Sequence, residues 1–141
     1  MTTTRRLALF LALALSTAAC DTADPTTSSA APTVAVPPTV ETFTGTVAVG
    51  SKDVKPFNIL LTGGTVTLTM TAAGPPPTIT MAFGVGNFDG TTCTVIQSVA
   101  AQGSATPQLS GTANAGAYCV VVADPGTQTG PVTYAVTVTH Y

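Results

Sequence analysis

Thr65-Val66-Thr67-Leu68-Thr69-Met70-Thr71 is the stretch whose reading decides the fold. Apolar and hydroxyl side chains alternate at every step. Successive side chains of an extended strand point to opposite faces, so this alternation predicts a strand with one buried face and one wet face.

The same period appears on both sides of it. Thr78 to Val85 predicts a strand with Ile79, Met81, Phe83 and Val85 inward. Val132 to Val138 repeats the pattern with Val132, Tyr134, Val136 and Val138. Phe43 to Val49 places Phe43, Val47 and Val49 on one side, and Val54 to Leu61 does so with Phe57, Ile59 and Leu61. Thr91 to Val99 and Tyr118 to Ala123 are apolar on both faces, which predicts central strands.

Turn chemistry separates these runs. Gly50-Ser51-Lys52-Asp53, Gly63-Gly64, Gly74-Pro75-Pro76-Pro77, Asn87-Phe88-Asp89-Gly90 and Asp124-Pro125-Gly126 are all turn sequences. Helix-favouring Glu, Lys, Arg and Leu are scarce, while Thr, Val, Gly and Pro dominate. The expected fold is all-β: a small antiparallel, jelly-roll-like β-sandwich of seven to eight strands over Glu41 to Tyr141. About 100 residues suffice for one such core.

A family resemblance follows the same segment. Asn114-Ala115-Gly116-Ala117-Tyr118-Cys119-Val120-Val121-Val122, a polar loop, and Tyr134-Ala135-Val136-Thr137-Val138 resemble the closing half of bacterial pre-peptidase C-terminal (PPC) domains. Phe57-Asn58-Ile59-Leu60-Leu61-Thr62-Gly63-Gly64-Thr65-Val66-Thr67-Leu68 resembles an earlier part of the same family. Cys119 stands where the family commonly has a second aromatic residue. The resemblance implies a jelly-roll-like sandwich of the kind usually appended to secreted proteases.

The beginning of the chain has a different character. Arg5 and Arg6 precede an apolar run, Leu7 to Leu15. That run is shorter than the roughly 18–20 apolar residues of a stable membrane span, and it reads as a signal peptide over residues 1–19. Ser16-Thr17-Ala18-Ala19-Cys20 resembles the lipobox of bacterial lipoproteins, with Thr17 where Leu or Val is usual. The resemblance implies cleavage before Cys20 and lipid on its sulfur, which would hold the protein to a membrane of the bacterial cell envelope. Ordinary cleavage near Ala18 or Ala19 would instead leave Cys20 a free thiol. Residues 20–40 then form a Thr-, Ser-, Ala- and Pro-rich tether without helical period.

The cysteine count fits that division. Of Cys20, Cys93 and Cys119, only two remain once Cys20 is modified. An oxidising envelope compartment favours a Cys93–Cys119 disulfide. Such a bond would join neighbouring strands or staple the two layers; two separate buried thiols are the alternative.

Charge and chemistry narrow the function. Beyond the signal the basic residues are Lys52 and Lys55, against Asp21, Asp24, Glu41, Asp53, Asp89 and Asp124. So few cations cannot neutralise phosphates, which argues against nucleic acid as a partner. His140 is the one histidine, next to the end, and reads as a solvated residue rather than a general base. No nucleophile, metal-protease or phosphate-loop motif is present, so no catalytic residue and no cofactor is expected. Glu41, Asp53, Asp89 and Asp124 are spread along the chain without a calcium-loop spacing, and the three aspartates read as turn residues. Phe43, Phe57, Phe83, Tyr118 and Tyr134 read as core, with Phe88 and Tyr141 free. The expectation is a non-catalytic, membrane-anchored envelope lipoprotein acting as an adhesion, scaffold or accessory binding module. The alternative is a carbohydrate- or peptidoglycan-associated binding protein, and the expected partners are the membrane, through Cys20, and an envelope protein or glycan.

Overall fold

The alternating runs become eight strands: β1 (Thr39–Val47), β2 (Lys52–Ile59), β3 (Gly64–Gly74), β4 (Met81–Phe88), β5 (Cys93–Ala101), β6 (Leu109–Ala113), β7 (Gly116–Ala123) and β8 (Val132–His140). The structure is a computed structural model and describes residues 36–61 and 63–141. The signal-like run, Cys20 and residues 21–35 of the tether lie outside the described residues.

Two four-stranded sheets form, in the orders β1-β8-β3-β6 and β2-β7-β4-β5. Every pairing is antiparallel. β1 pairs with β8, β2 with β7, β3 with β6 and β4 with β5, as in a long nested hairpin rolled up on itself. The β3–β8 and β4–β7 pairings close the roll into two sheets. This is the jelly-roll sandwich. The first strand starts at Thr39, two residues before Glu41, so the sheet takes up the last positions read as tether.

The inward phases meet between the sheets. Leu68 and Met70 of β3, Met81 and Phe83 of β4, Val120 and Val122 of β7, and Val136 and Val138 of β8 are fully or almost fully buried there. Burying a side chain of this size contributes roughly 1.5–3 kcal/mol, so these four central strands carry most of the core.

Several expectations are corrected at the periphery. β5 is an edge strand rather than a central one, and its Val95 and Ile96 are exposed. A register shift at Val85–Gly86 places the extra residue there, so alternation breaks in mid-strand. Met81, rather than Thr78, begins β4; Ile79 packs against the core from the preceding loop. Val49 and Leu61 lie just beyond the ends of β1 and β2 and are exposed, having left the pleat that would turn them inward. Short β6 carries no alternating signal, because only Leu109 among its five residues is buried.

Candidate functional site

A large concavity among the described residues lies at the end of the sandwich where the described chain begins and ends. The Thr39–His140 pairing brings the start of β1 beside the end of β8, and β2 finishes at the same end. A cleft of about 720 Å³ opens there, lined by Val36, Pro37, Phe57, Leu60, Leu61 and Tyr141 among others. Its walls are mainly apolar.

One polar pair sits in its floor. His140 is the last inward position of β8 and Glu41 an inward position of β1. His140 Nε2–H donates to Glu41 Oε1 at 2.9 Å. Only 3% of His140 is exposed, which corrects its reading as a solvated terminal residue. Phe57 lies against the imidazole with ring centroids 5.7 Å apart, and against Phe43 and Tyr118 on its other sides. His140 Nδ1 is buried and has no hydrogen-bond partner among the described residues. No hydroxyl or thiol among the described residues bonds to the ring, so the pair holds no nucleophile. It is a polar floor under an apolar rim.

The acidic residues do not converge. Among the described residues no three of His, Cys, Asp and Glu stand close enough to hold a metal ion. Asp89 and Asp124 are turn residues, as read. Asp89 Oδ1 accepts from the Thr91 and Thr92 backbone N–H groups, which hold its carboxyl below the ordinary range. Asp124 accepts from Gly50 N–H through Oδ2 and from Gly126, Thr127 and Gln128 N–H through Oδ1, and its carboxyl is likewise held low. Asp53 departs from that reading. It lies inside β2, accepts the Tyr134 hydroxyl at 2.8 Å and pairs with Lys55 at 3.2 Å.

The Cys93–Cys119 disulfide is formed, with Cα atoms 5.9 Å apart. Its course is neither of the two foreseen. Cys119 is on β7 and Cys93 on β5, and β4 runs between those strands. Val120 and Val122 face the core, so Cys119, which is fully buried, faces the outer side of its sheet. The bond therefore crosses β4 on that outer side, within one sheet. Two strand spacings would normally separate such residues by ~9.5 Å. The shorter distance arises because β5 folds over β4, where Gly84 and Gly86 present no side chain. A Cβ at Gly84 would stand 2.8 Å from Ser98 Cβ, and one at Gly86 2.7 Å from the Thr94 carbonyl carbon.

The opposite sheet shows a different surface. Thr42, Thr44 and Thr46 on β1, Thr133, Thr137 and Thr139 on β8, and the β3 threonines form an outer face with no charged residue among them. Thr42, Thr137 and Thr69 lie in one cross-strand row. The threonine alternation that identifies β3 in the sequence is thus one row of a two-dimensional hydroxyl field.

No protein-family model matches this chain, and no curated protein matches it. The functional reading rests on its own residues.

Proposed function

We propose that this chain is a membrane-anchored lipoprotein of the bacterial cell envelope, held through lipid on Cys20, whose jelly-roll sandwich is a non-catalytic accessory binding module. The observation that carries the binding role is the cleft at the Thr39–His140 end. Its size falls within the ~300–1,000 Å³ of ordinary binding sites, and its mainly apolar walls enclose the Glu41–His140 pair. The anchored role is supported by Arg5 and Arg6, the apolar run to Leu15 and the small residues before Cys20. The resemblance to pre-peptidase C-terminal domains supports an accessory role as well.

Mass spectrometry of the N-terminus of protein taken from membranes tests the anchor. The expected species begins at an acylated Cys20, and Cys20→Ala should leave the membrane fraction or block processing. A mutant that fractionates like the wild type overturns the reading.

A glycan-binding role has one specific observation in its favour. Tyr141 and Asn58 line the same cleft as Glu41, giving a partly exposed ring beside hydrogen-bonding groups. Saturable binding of the soluble domain on a glycan array would favour that role; a blank array would remove it.

A further inference from the structure

We infer that the cleft end of the sandwich seats on the lipid surface to which Cys20 anchors the chain, with Leu60, Leu61, Val36 and Tyr141 reaching into the headgroup–acyl boundary. This rests on the lipoprotein reading and names the occupant of the same cleft.

The distribution of exposed apolar side chains is the first observation. Eight large hydrophobics are exposed among the described residues, and Val36, Leu60, Leu61 and Tyr141 all line this one cleft. Leu60 is 82% exposed at its lip. Scattered exposed apolar residues need no explanation, but a cluster rimmed by polar surface marks an interaction site. The other four lie outside the cleft lining, with Val95 and Ile96 side by side on edge strand β5, so the cleft end holds the larger group.

Chain geometry identifies what covers it. Val36 is the first described residue and belongs to the cleft wall. Residues 21–35 separate it from Cys20. Even fully extended, that stretch reaches only about 50 Å at ~3.3 Å per residue. A lipid on Cys20 thus holds this end of the domain near the bilayer at high effective concentration, and a contact too weak to act alone becomes occupied.

Charge points the same way. Neither Lys52 nor Lys55 lines the cleft. Its polar pair, Glu41 and His140, is engaged with itself beneath Phe57. The seat is therefore apolar, with an aromatic residue at its margin as suits the membrane interface, and it needs no anionic lipid. Strands run from this end to the β1–β2 turn, so seating points that turn away from the bilayer and stands the hydroxyl face at its side.

The chain contains no tryptophan, so one introduced residue reports alone. The chain from Cys20 onward, with Cys93 and Cys119 paired, would be coupled through the Cys20 thiol to a maleimide-headgroup lipid in phosphatidylcholine vesicles. Leu60→Trp and Tyr141→Trp are expected to shift their emission to the blue and to be quenched by brominated lipid. Val49→Trp, at the opposite end, should keep its aqueous emission. Adding phosphatidylglycerol should change none of the three. Aqueous, unquenched emission from both cleft reporters overturns the seating, as does a shift that requires phosphatidylglycerol. Chemical coupling makes this result independent of lipidation in the cell; an unacylated Cys20 in cell membranes would overturn the lipoprotein reading by a separate measurement.

Discussion

Tyr134 of β8 donates its hydroxyl hydrogen to Asp53 Oδ2 of β2 across 2.8 Å, joining one sheet to the other. Gly45 of β1 makes the bond possible. It lies opposite Tyr134 in the register, and a Cβ there would stand in the Asp53 carboxylate and 2.8 Å from the Tyr134 hydroxyl. A hydrogen bond to a charged group is worth about 1.5–3 kcal/mol in measured series. Tyr134→Phe is expected to lose about 1–3 kcal/mol, since Asp53 keeps Lys55, and urea unfolding at neutral pH measures it.

The same contact sets an alkaline limit. Burial, and then the hydrogen bond and charge of Asp53, raise the Tyr134 phenol well above its ordinary value of 10.0. The folded state thus prefers the protonated phenol. Its stabilising contribution is complete below about pH 10, where the unfolded phenol is also protonated, and falls as pH rises beyond that value. Stability against urea should decline above pH 10 in the wild type and decline less steeply in Tyr134→Phe. Equal slopes would show that another group controls alkaline unfolding.

On the acid side the sign reverses. Asp124 ties the β1–β2 turn to the loop before β8 through four backbone N–H groups, which hold its carboxyl below the ordinary value of 3.8. A depressed carboxyl stabilises the fold above the unfolded value and stops doing so as pH falls through the folded one. Asp124→Ala removes the acceptor and should expose the Gly50, Gly126 and Thr127 amides to faster hydrogen exchange at neutral pH. As pH falls below the ordinary carboxyl value of 3.8 and through the lower folded one, the wild type should approach the mutant.

The disulfide should act on β5 first. It closes a loop across a sequence separation of 26, for which the chain-entropy relation gives about 3.5 kcal/mol. Because it crosses β4 on the outer side of one sheet, its loss leaves the inter-sheet core intact. Reduction is expected to lower the melting temperature by ten degrees or more and to speed amide exchange in Cys93–Ala101 ahead of β3 and β8. Gly84→Ala should weaken the same edge, because the new Cβ meets Gln97 and Ser98 of β5. Uniform loss of protection across both sheets would refute this localisation.

These differences show what was legible in the sequence. β3 and β8 were readable because each is central and faces water on one side, so burial writes itself as strict alternation from Val66 to Met70 and from Val132 to Val138. β5 misled because its apolar Val95 and Ile96 fall at a register shift and remain exposed at the edge. The positions of Cys93 and Cys119 were visible, but the bond's path across β4 depends on Gly84 and Gly86 letting another strand fold over them. The cleft was the least legible part. It joins residues near 36, 60 and 140: the antiparallel Thr39–His140 register brings the first and last together, and the facing sheet brings the end of β2 to the same place. The nearest signal was the inward phase of β8, which, carried two residues past Val138, places His140 inside.

That buried histidine supplies the last expectation. His140 is almost fully enclosed and satisfied at Nε2 alone, while Glu41 is about one-third exposed. Removing one member of a buried polar pair leaves the other unsatisfied, whereas replacing a buried polar group by an apolar one of similar shape is close to neutral. Glu41→Ala strips the ring of its hydrogen-bond partner among the described residues and should cost about 1–2 kcal/mol, at the low end because the carboxylate is partly solvated. His140→Phe leaves no ring nitrogen unpaired and keeps an aromatic ring against Phe57, so it should change stability little or raise it. In the double mutant the penalty of Glu41→Ala should largely disappear. A double-mutant cycle by urea unfolding measures this coupling. Additive effects would mean that His140 is held by its packing against Phe57, with Glu41 contributing nothing to the floor of the cleft.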